Sequence, residues 1–441
     1  MIKRITDFVP RFSLADTTKQ IYSRLYSFGS WNYVFYLILF LICCLLLVCA
    51  YIKIRFRFWS IQPVFHVYDF QYYFMKYGVI LPQLPEKNRY CNFTNIEFVE
   101  LQKVTDVQKQ DCLHLIQSHY LSNGENKFTP SRENIDPYFV GHSAPCFFSF
   151  YYEDEVLHDT SLGSTFESTE SKSISRKKLV GTMTTRPLHV SIFHHDQAVA
   201  AFDVYYVDYL CVDSAKRKKG IAPQLIQTHD YEERRANQKI AVSLFKRENE
   251  LTGIVPLCVY KTVAFNMEKW AKPAGFLEGQ MAVVECGPNN MSFLIDFLRE
   301  NERQFDICVL PEMSNLAELV KTGNVFVWYL MDAETMTSAY FFRKTCTKLE
   351  KGHEVLCCFA SIKSKDLNTE TFAHGFKLAL SHICEKNREF YYLSIENISH
   401  NGFLVDNLLR KNRIMIETPS AYFFYNFAYP TFAGDKVLIL D

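Results

Sequence analysis

The run Asp208-Tyr209-Leu210-Cys211-Val212 is followed shortly by Arg217-Lys218-Lys219-Gly220-Ile221-Ala222-Pro223. The first run is β-prone and mostly apolar, the second is basic with one glycine, and a helical pattern starts at about Ala222. A strand that enters such a turn and then a helix presents backbone N–H groups, and the positive end of the helix dipole, to a phosphate. The chemistry this suits is retention of a pyrophosphate-bearing ligand beside the strand; a solvated basic turn is the other reading. Cys211 is a nucleophile by type, but its strand is apolar and no histidine stands near it in sequence, so it reads as structural. His194-His195-Asp196 suggests a metal site by type, yet neighbouring strand side chains face opposite ways, which fits a hairpin tip better.

The elements that must position these residues alternate between strand and helix, which predicts a mixed α/β fold. Helical spacing covers Asp106–Tyr120, and Pro145–Tyr152, Lys178–Thr185 and Phe202–Val212 read as strands. Between them, Asp159–Ser175 is rich in Ser and Thr and is expected to be a mobile loop. The second half repeats the grammar: a helix at Ser292–Glu302, strands at Val325–Leu330, Ser338–Phe342 and Val355–Ile362, a helix at Glu370–Glu385 and a strand at Glu389–Ser394. This order suggests an internal pseudo-repeat.

Lysine plus arginine and aspartate plus glutamate balance at 48 each over 441 residues, so no global field draws the chain to nucleic acid. The 14 cysteines form no C-x-x-C pair and have no matching histidine spacing, which argues against zinc and for reduced thiols in a cytosolic setting. Sequons at Asn92, Asn290 and Asn397 keep a luminal setting open. Trp31–Tyr51 carries no charge and has the length of a membrane-crossing helix, with Trp31, Tyr33, Tyr36, Lys53, Arg55 and Arg57 as interfacial anchors. Basic residues on both sides leave its orientation undecided, and a cleaved signal peptide would have a shorter apolar core.

The pattern Arg217-x-x-Gly220-x-Ala222 resembles the coenzyme A loop of the acetyltransferase superfold. Its wider context resembles the N-myristoyltransferase family: Tyr209-Leu210-Cys211-Val212, then Arg217, Lys219 and Ala222-Pro223. Further matches occur in order at Phe58-Trp59 with Gln62-Pro63-Val64, at Lys178-Leu179-Val180-Gly181, at Cys258 and Tyr260 with Asn266 and Lys269, and at Tyr425-Asn426-Phe427 with Lys436 to Leu440. The resemblance implies two tandem acetyltransferase-like halves related by a pseudo-twofold axis. An N-terminal region of residues 1–57 would precede an acyl-CoA-binding half, 58–275, and a half that completes a peptide groove, 276–441. Phe58, Trp59, Cys211, Val212 and Arg217 to Pro223 would hold the acyl-CoA co-substrate, with no permanently bound cofactor and no metal. Backbone amides of Tyr209 and Leu210 would form the oxyanion hole, and the α-carboxylate of Asp441 would be the base. Without the resemblance, the C-terminus would read as an ordinary edge strand.

Phe128, Tyr260, Tyr425 and Leu440 would line the peptide site, and the acceptor would be a protein with an N-terminal glycine. Asp441→Asn is expected to be mild, because it keeps the α-carboxylate. The implied protein is single-pass, membrane-anchored and faces the cytosol. The sequence departs from the family at Thr262, where a histidine is usual, in the loop Ser122–Phe128, which lacks acidic richness, and at Gly220, which replaces a basic residue. A shifted acceptor, or an acyl-CoA-binding adaptor without turnover, are the alternatives.

Overall fold

The computed structural model describes residues 14–74, 76–121, 127–157, 174–195, 197–249, 252–275, 277, 279–349 and 352–441. Most of the Asp159–Ser175 stretch, Ser122–Asn126 and Asp196 lie outside them. The chain divides into two units, Met1–Gln62 and Pro63–Asp441.

In the first unit, α1 (Leu14–Arg55) contains a strongly apolar span, Asn32–Ile54, of 23 residues with Lys53 near its end. At about 1.5 Å per residue it is long and apolar enough to cross the hydrocarbon layer of a bilayer. Its apolar side chains are exposed, as a lipid-facing surface requires. A short 3-10 turn, Trp59–Ile61, follows, with the Phe58 and Trp59 rings in edge contact at 5.1 Å.

The second unit opens with β1 (Gly78–Val79), β2 (Ile96–Glu100), α2 (Asp106–His119), β3 (Lys127–Phe128) and α3 (Arg132–Ile135). Thr105 and Gln108 start α2 as a capping box, each side chain accepting from the other's backbone N–H. Then come β4 (Phe147–Leu157), β5 (Ile174–His194), β6 (Gln197–Val212), α4 (Ile221–Ala236), β7 (Ser243–Glu248) and β8 (Cys258–Asn266). The β5–β6 hairpin turns at His195, whose φ is +49°, so the two histidines do mark a hairpin tip.

The same order returns in β9 (Met281–Glu285), α5 (Met291–Asn301), β10 (Ile307–Leu310), α6 (Met313–Lys321), β11 (Val325–Asp332), β12 (Thr335–Lys348) and β13 (Glu354–Lys363). It closes with α7 (Thr369–Lys386), β14 (Phe390–Glu396), α8 (Asn401–Leu409), β15 (Ile416–Tyr425), β16 (Phe427–Ala428) and β17 (Val437–Ile439).

β1 and β16 form a small sheet of their own, and the other strands join one large sheet whose main run is β2-β4-β5-β6-β7-β15-β8-β14-β13-β12-β11-β9, with β10 and β17 added beyond β5 and β3 on β12. Each half runs through an antiparallel trio, crosses over by a helix and returns as a parallel strand: β4-β5-β6, α4 and β7 in one, β11-β12-β13, α7 and β14 in the other. The next strand of each half is exchanged, β8 pairing with β14 and β15 with β7. The order therefore reads the same from either end, a pseudo-twofold centred between β15 and β8. The exchange makes the halves one core rather than two.

Two differences break the symmetry. β13 and β14 stay paired from Glu354–Phe390 to Cys358–Ile395, whereas β6 and β7 pair only at Tyr205–Ser243 and Tyr206–Leu244 and then part. Asn368 caps α7 by accepting from the Glu370 N–H at 2.8 Å, whereas α4 begins at Gly220, with φ +82° and no side-chain cap. Of the two crossovers, the one in the first half thus combines parted strands with a helix start that has no side-chain cap.

Candidate active site

Past the β6–β7 parting lies a cavity of about 360 Å³ lined by both halves. A β-bulge sits at its wall: Thr184 pairs with Tyr209 and Thr185 with Val207, leaving Asp208 as the extra residue. The bulge turns Asp208 toward Arg186, whose Nε donates to both carboxylate oxygens at 2.9 and 3.2 Å. Arg186 is buried and its Nη1 has no hydrogen-bond partner among the described residues. Burial pushes the Asp208 carboxyl up to about 6, against the pull of Arg186. The Tyr209 N–H donates to the Thr184 hydroxyl at 3.2 Å, so in this arrangement it is engaged with the strand beside it.

The chain end enters the cavity from behind. β17 lies parallel to β10, the Leu440 N–H donates to Val309 at 2.9 Å, and Val437 to Leu440 are all buried in apolar core. Asp441 is delivered to the wall 5% exposed. Its side chain is held at three points: Arg343 Nη1 donates to Oδ1 at 2.8 Å, and the Tyr206 and Tyr422 hydroxyls donate to Oδ2 at 2.7 and 3.0 Å. Burial opposes its charge, but Arg343, then Lys246, the Tyr206 hydroxyl and Arg186 hold the carboxyl well below its usual range. Burial and the Asp441 charge in turn raise both tyrosines well above theirs, so they remain donors.

Arg343 also donates to Glu396, which accepts from Lys246 at 2.9 Å and from the Tyr260 hydroxyl at 2.6 Å. Lys246 and Arg343 outweigh burial and keep Glu396 ionised. The carboxylates of Asp208, Glu396 and Asp441 thus face the cations Arg186, Lys246 and Arg343, and Lys246 also meets Glu248, at the cavity rim, at 3.1 Å. The Asp441 backbone oxygen accepts from Arg343 Nη1 at 3.4 Å.

At the basic turn, Gly220 supplies the left-handed geometry that starts α4. Lys218 and Lys219 are exposed. Arg217 is committed elsewhere: it donates to the His119 carbonyl and, at 3.4 Å, to the Val212 carbonyl, so it braces the turn against α2. Ile221 and Leu225 pack against Gly181, where a Cβ would meet Leu225 at 3.0 Å, so the glycine lets α4 lie close on β5.

Of the other residues singled out in the sequence, Phe128 lines the cavity, its ring 5.4 Å from Tyr120, which meets Tyr209 at 5.5 Å. Tyr260 reaches it through Glu396, and Leu440 lies in the core behind it. Tyr425 is not brought there: it is buried near Asp230 and Arg234, on the opposite face of β15 from Tyr422. Cys211 is buried, contacts the Leu115 carbonyl at 3.7 Å and is pushed up to about 12 by burial, so it stays a thiol. Phe58 and Trp59 lie in the first unit. Arg186, Tyr206, Lys246, Arg343, Glu396 and Tyr422 were not singled out from sequence; the available signal was a charge inside an otherwise apolar strand, as in Phe341-Phe342-Arg343.

No protein-family model and no curated protein matches the sequence. Solved structures do match. A Saccharomyces cerevisiae N-myristoyltransferase with bound myristoyl-CoA superposes with a TM-score of 0.64 at 12% identity, over 86% of this chain and 94% of that one. Two further structures of that enzyme, one with inhibitors also bound, give 0.63 at 11% identity over 86% of this chain and 90% and 91% of theirs. The chain has the N-myristoyltransferase fold.

Proposed function

We propose that this protein is an N-acyltransferase that moves a long-chain acyl group, myristoyl foremost, from acyl-CoA to the N-terminal glycine of a protein. The observation that carries the reading is Asp441, buried in the cavity that opens where β6 and β7 part; α4, with its uncapped start, is the crossover between the same two strands. The pyrophosphate of the donor would lie on the first N–H groups of α4 with Lys218 and Lys219 around it. The acyl thioester would lie along β6 at the bulge.

In the reaction, the Asp441 α-carboxylate accepts a proton from the glycine ammonium, and the freed amine attacks the thioester carbon. Backbone N–H groups at Tyr209 and Leu210 take the developing oxyanion, which requires the Tyr209 N–H to exchange Thr184 for the substrate. The C–N bond forms, the C–S bond breaks, and the coenzyme thiolate leaves, taking up the proton lost by the amide nitrogen. The side-chain charges that line the cavity balance, with four carboxylates (Asp208, Glu248, Glu396, Asp441) against four cations (Arg186, Lys246, Arg343, Lys344), which supports this assignment because it leaves the α-carboxylate as the net negative charge that an ammonium would meet. α1 would hold this site at a membrane, where a long-chain acyl-CoA partitions.

A second reading keeps the donor and shifts the acceptor. Arg186, Lys246 and Arg343 in the cavity favour an acceptor that carries an acceptor or anionic group next to its amine. Incubating the full chain with myristoyl-CoA and peptides beginning with glycine, with other residues, or with an internal lysine, read by mass spectrometry, tests both. Acylation of glycine peptides alone is the expected result. Donor binding with no transfer to any peptide would leave a non-catalytic acyl-CoA-binding protein.

A further inference from the structure

Away from the cavity, the start of the second unit carries a cluster of exposed aromatic rings. Phe70 is 75% exposed, Tyr73 67%, Phe74 77% and Tyr77 56%. Solvent-facing rings at this density form an interaction surface rather than scattered surface apolar residues. The segment is not loose: Phe70–Tyr73 is a 3-10 turn fastened from behind. The Tyr72 hydroxyl donates to the Tyr429 carbonyl at 2.9 Å, and its ring meets Phe65 at 5.8 Å. His66 N–H donates to Asp69 at 2.6 Å, and Val67 N–H to Gly253 at 2.9 Å. The body thus holds Tyr72 inward and presents Phe70, Tyr73 and Phe74 outward, with the Phe70 and Phe74 rings 5.5 Å apart.

We propose that this aromatic platform docks on the lipid surface of the bilayer that α1 crosses, with Phe70, Tyr73 and Phe74 entering at headgroup level. The inference rests on α1 being a membrane span. Two observations select lipid as the occupant. Phe70 follows the end of the apolar stretch at Ile54 by about sixteen residues, so even a fully extended chain leaves it within about 55 Å of the interface. Aromatic rings are the side chains that settle at the membrane–water boundary. From Val67 to Val79 the only charges are Asp69 and Lys76, which cancel, so the docking depends on ring insertion and not on anionic lipid. Lipid contact of this kind would fix the orientation of the catalytic unit, which a single tether alone does not.

The test uses the full chain reconstituted in phosphatidylcholine nanodiscs containing a phospholipid with a diazirine near the top of its acyl chain. Irradiation, digestion and mass spectrometry then map the labelled peptides. The expected result is label on Asn32–Ile54 and on the peptide carrying Phe70, Tyr73 and Phe74, equal at low and high salt. Phe70→Ser with Phe74→Ser should lower label on that peptide several-fold while leaving the helix label unchanged; both side chains are exposed, and unaltered circular dichroism checks the fold. Label on the helix alone would overturn the proposal and spare the span. Label on neither would overturn both.

Discussion

Exchanging Asp441 for asparagine separates the two carboxylates of the last residue, and the structure makes it costly rather than mild. The side-chain carboxylate accepts from Arg343 at 2.8 Å and from two tyrosine hydroxyls at 2.7 and 3.0 Å, while the backbone oxygen is touched by Arg343 at 3.4 Å. Removing one partner of a buried ion pair costs about 3–5 kcal/mol. Arg343 keeps Glu396, and the tyrosines can still donate to an amide oxygen, so the low end applies and Asp441→Asn should lose about 3 kcal/mol. The sign with pH follows from the direction of the shift. A carboxyl held below its usual range stabilises the fold fully above its unfolded pKa, and the contribution is lost as pH falls through the folded value. The gap between wild type and Asp441→Asn should therefore be full at pH 7 and narrow only below about pH 4. Urea titrations in detergent micelles, followed by near-ultraviolet circular dichroism of the packed rings, measure it. Acyl transfer should fall as well, since about an ångström of misplacement costs on the order of a hundredfold. A change under about 1 kcal/mol with full activity would refute the idea that the side chain anchors the chain end.

Three further outcomes are expected. Lys218→Ala with Lys219→Ala should weaken acyl-CoA binding about tenfold by calorimetry, with the loss shrinking at high salt because both side chains are exposed; unchanged affinity would remove the turn from the donor site. Gly181→Val should wedge α4 off β5, since even a Cβ there lies 3.0 Å from Leu225 and 3.2 Å from Ile221, and should cost about 1–3 kcal/mol in stability together with donor affinity; wild-type values for both would contradict the packing. Cys211→Ala should retain acyl transfer within about threefold, because a thiol held near pKa 12 is not a nucleophile at pH 7; abolished transfer in a folded variant would reinstate a covalent step.

The features legible in the sequence are those whose parts are neighbours along the chain. Asp208 to Pro223 can be read as strand, turn and helix start because all three lie in sixteen consecutive residues, and the structure has each in place. Arg217 showed the limit of that reading: its charge suggested phosphate, but the carbonyls it braces, His119 and Val212, could be seen only once α2 was packed. The resemblance named Tyr425 on β15, yet Tyr422, three residues earlier and so on the other face, meets Asp441. The ion network was hidden for another reason. Arg186, Lys246, Arg343 and Glu396 stand on four separate strands, and only the sheet register brings them together. The alternation of strands and helices gave the two-part order, but no local pattern signals that β8 and β15 change places.

The central claim, that the terminal α-carboxylate is the base, is tested most directly by one comparison of acyl transfer between the native chain and a chain extended by a few residues beyond Asp441. Val437 to Leu440 are buried with no slack, so an extension converts the carboxylate to an amide and must displace the end of β17. The extended protein should still bind myristoyl-CoA, through the α4 cradle, and transfer it at least about a hundredfold more slowly. Native transfer rates in the extended protein would contradict it and move the base to a side chain, with Asp208, pushed up to about 6 beside the cavity, the first to examine.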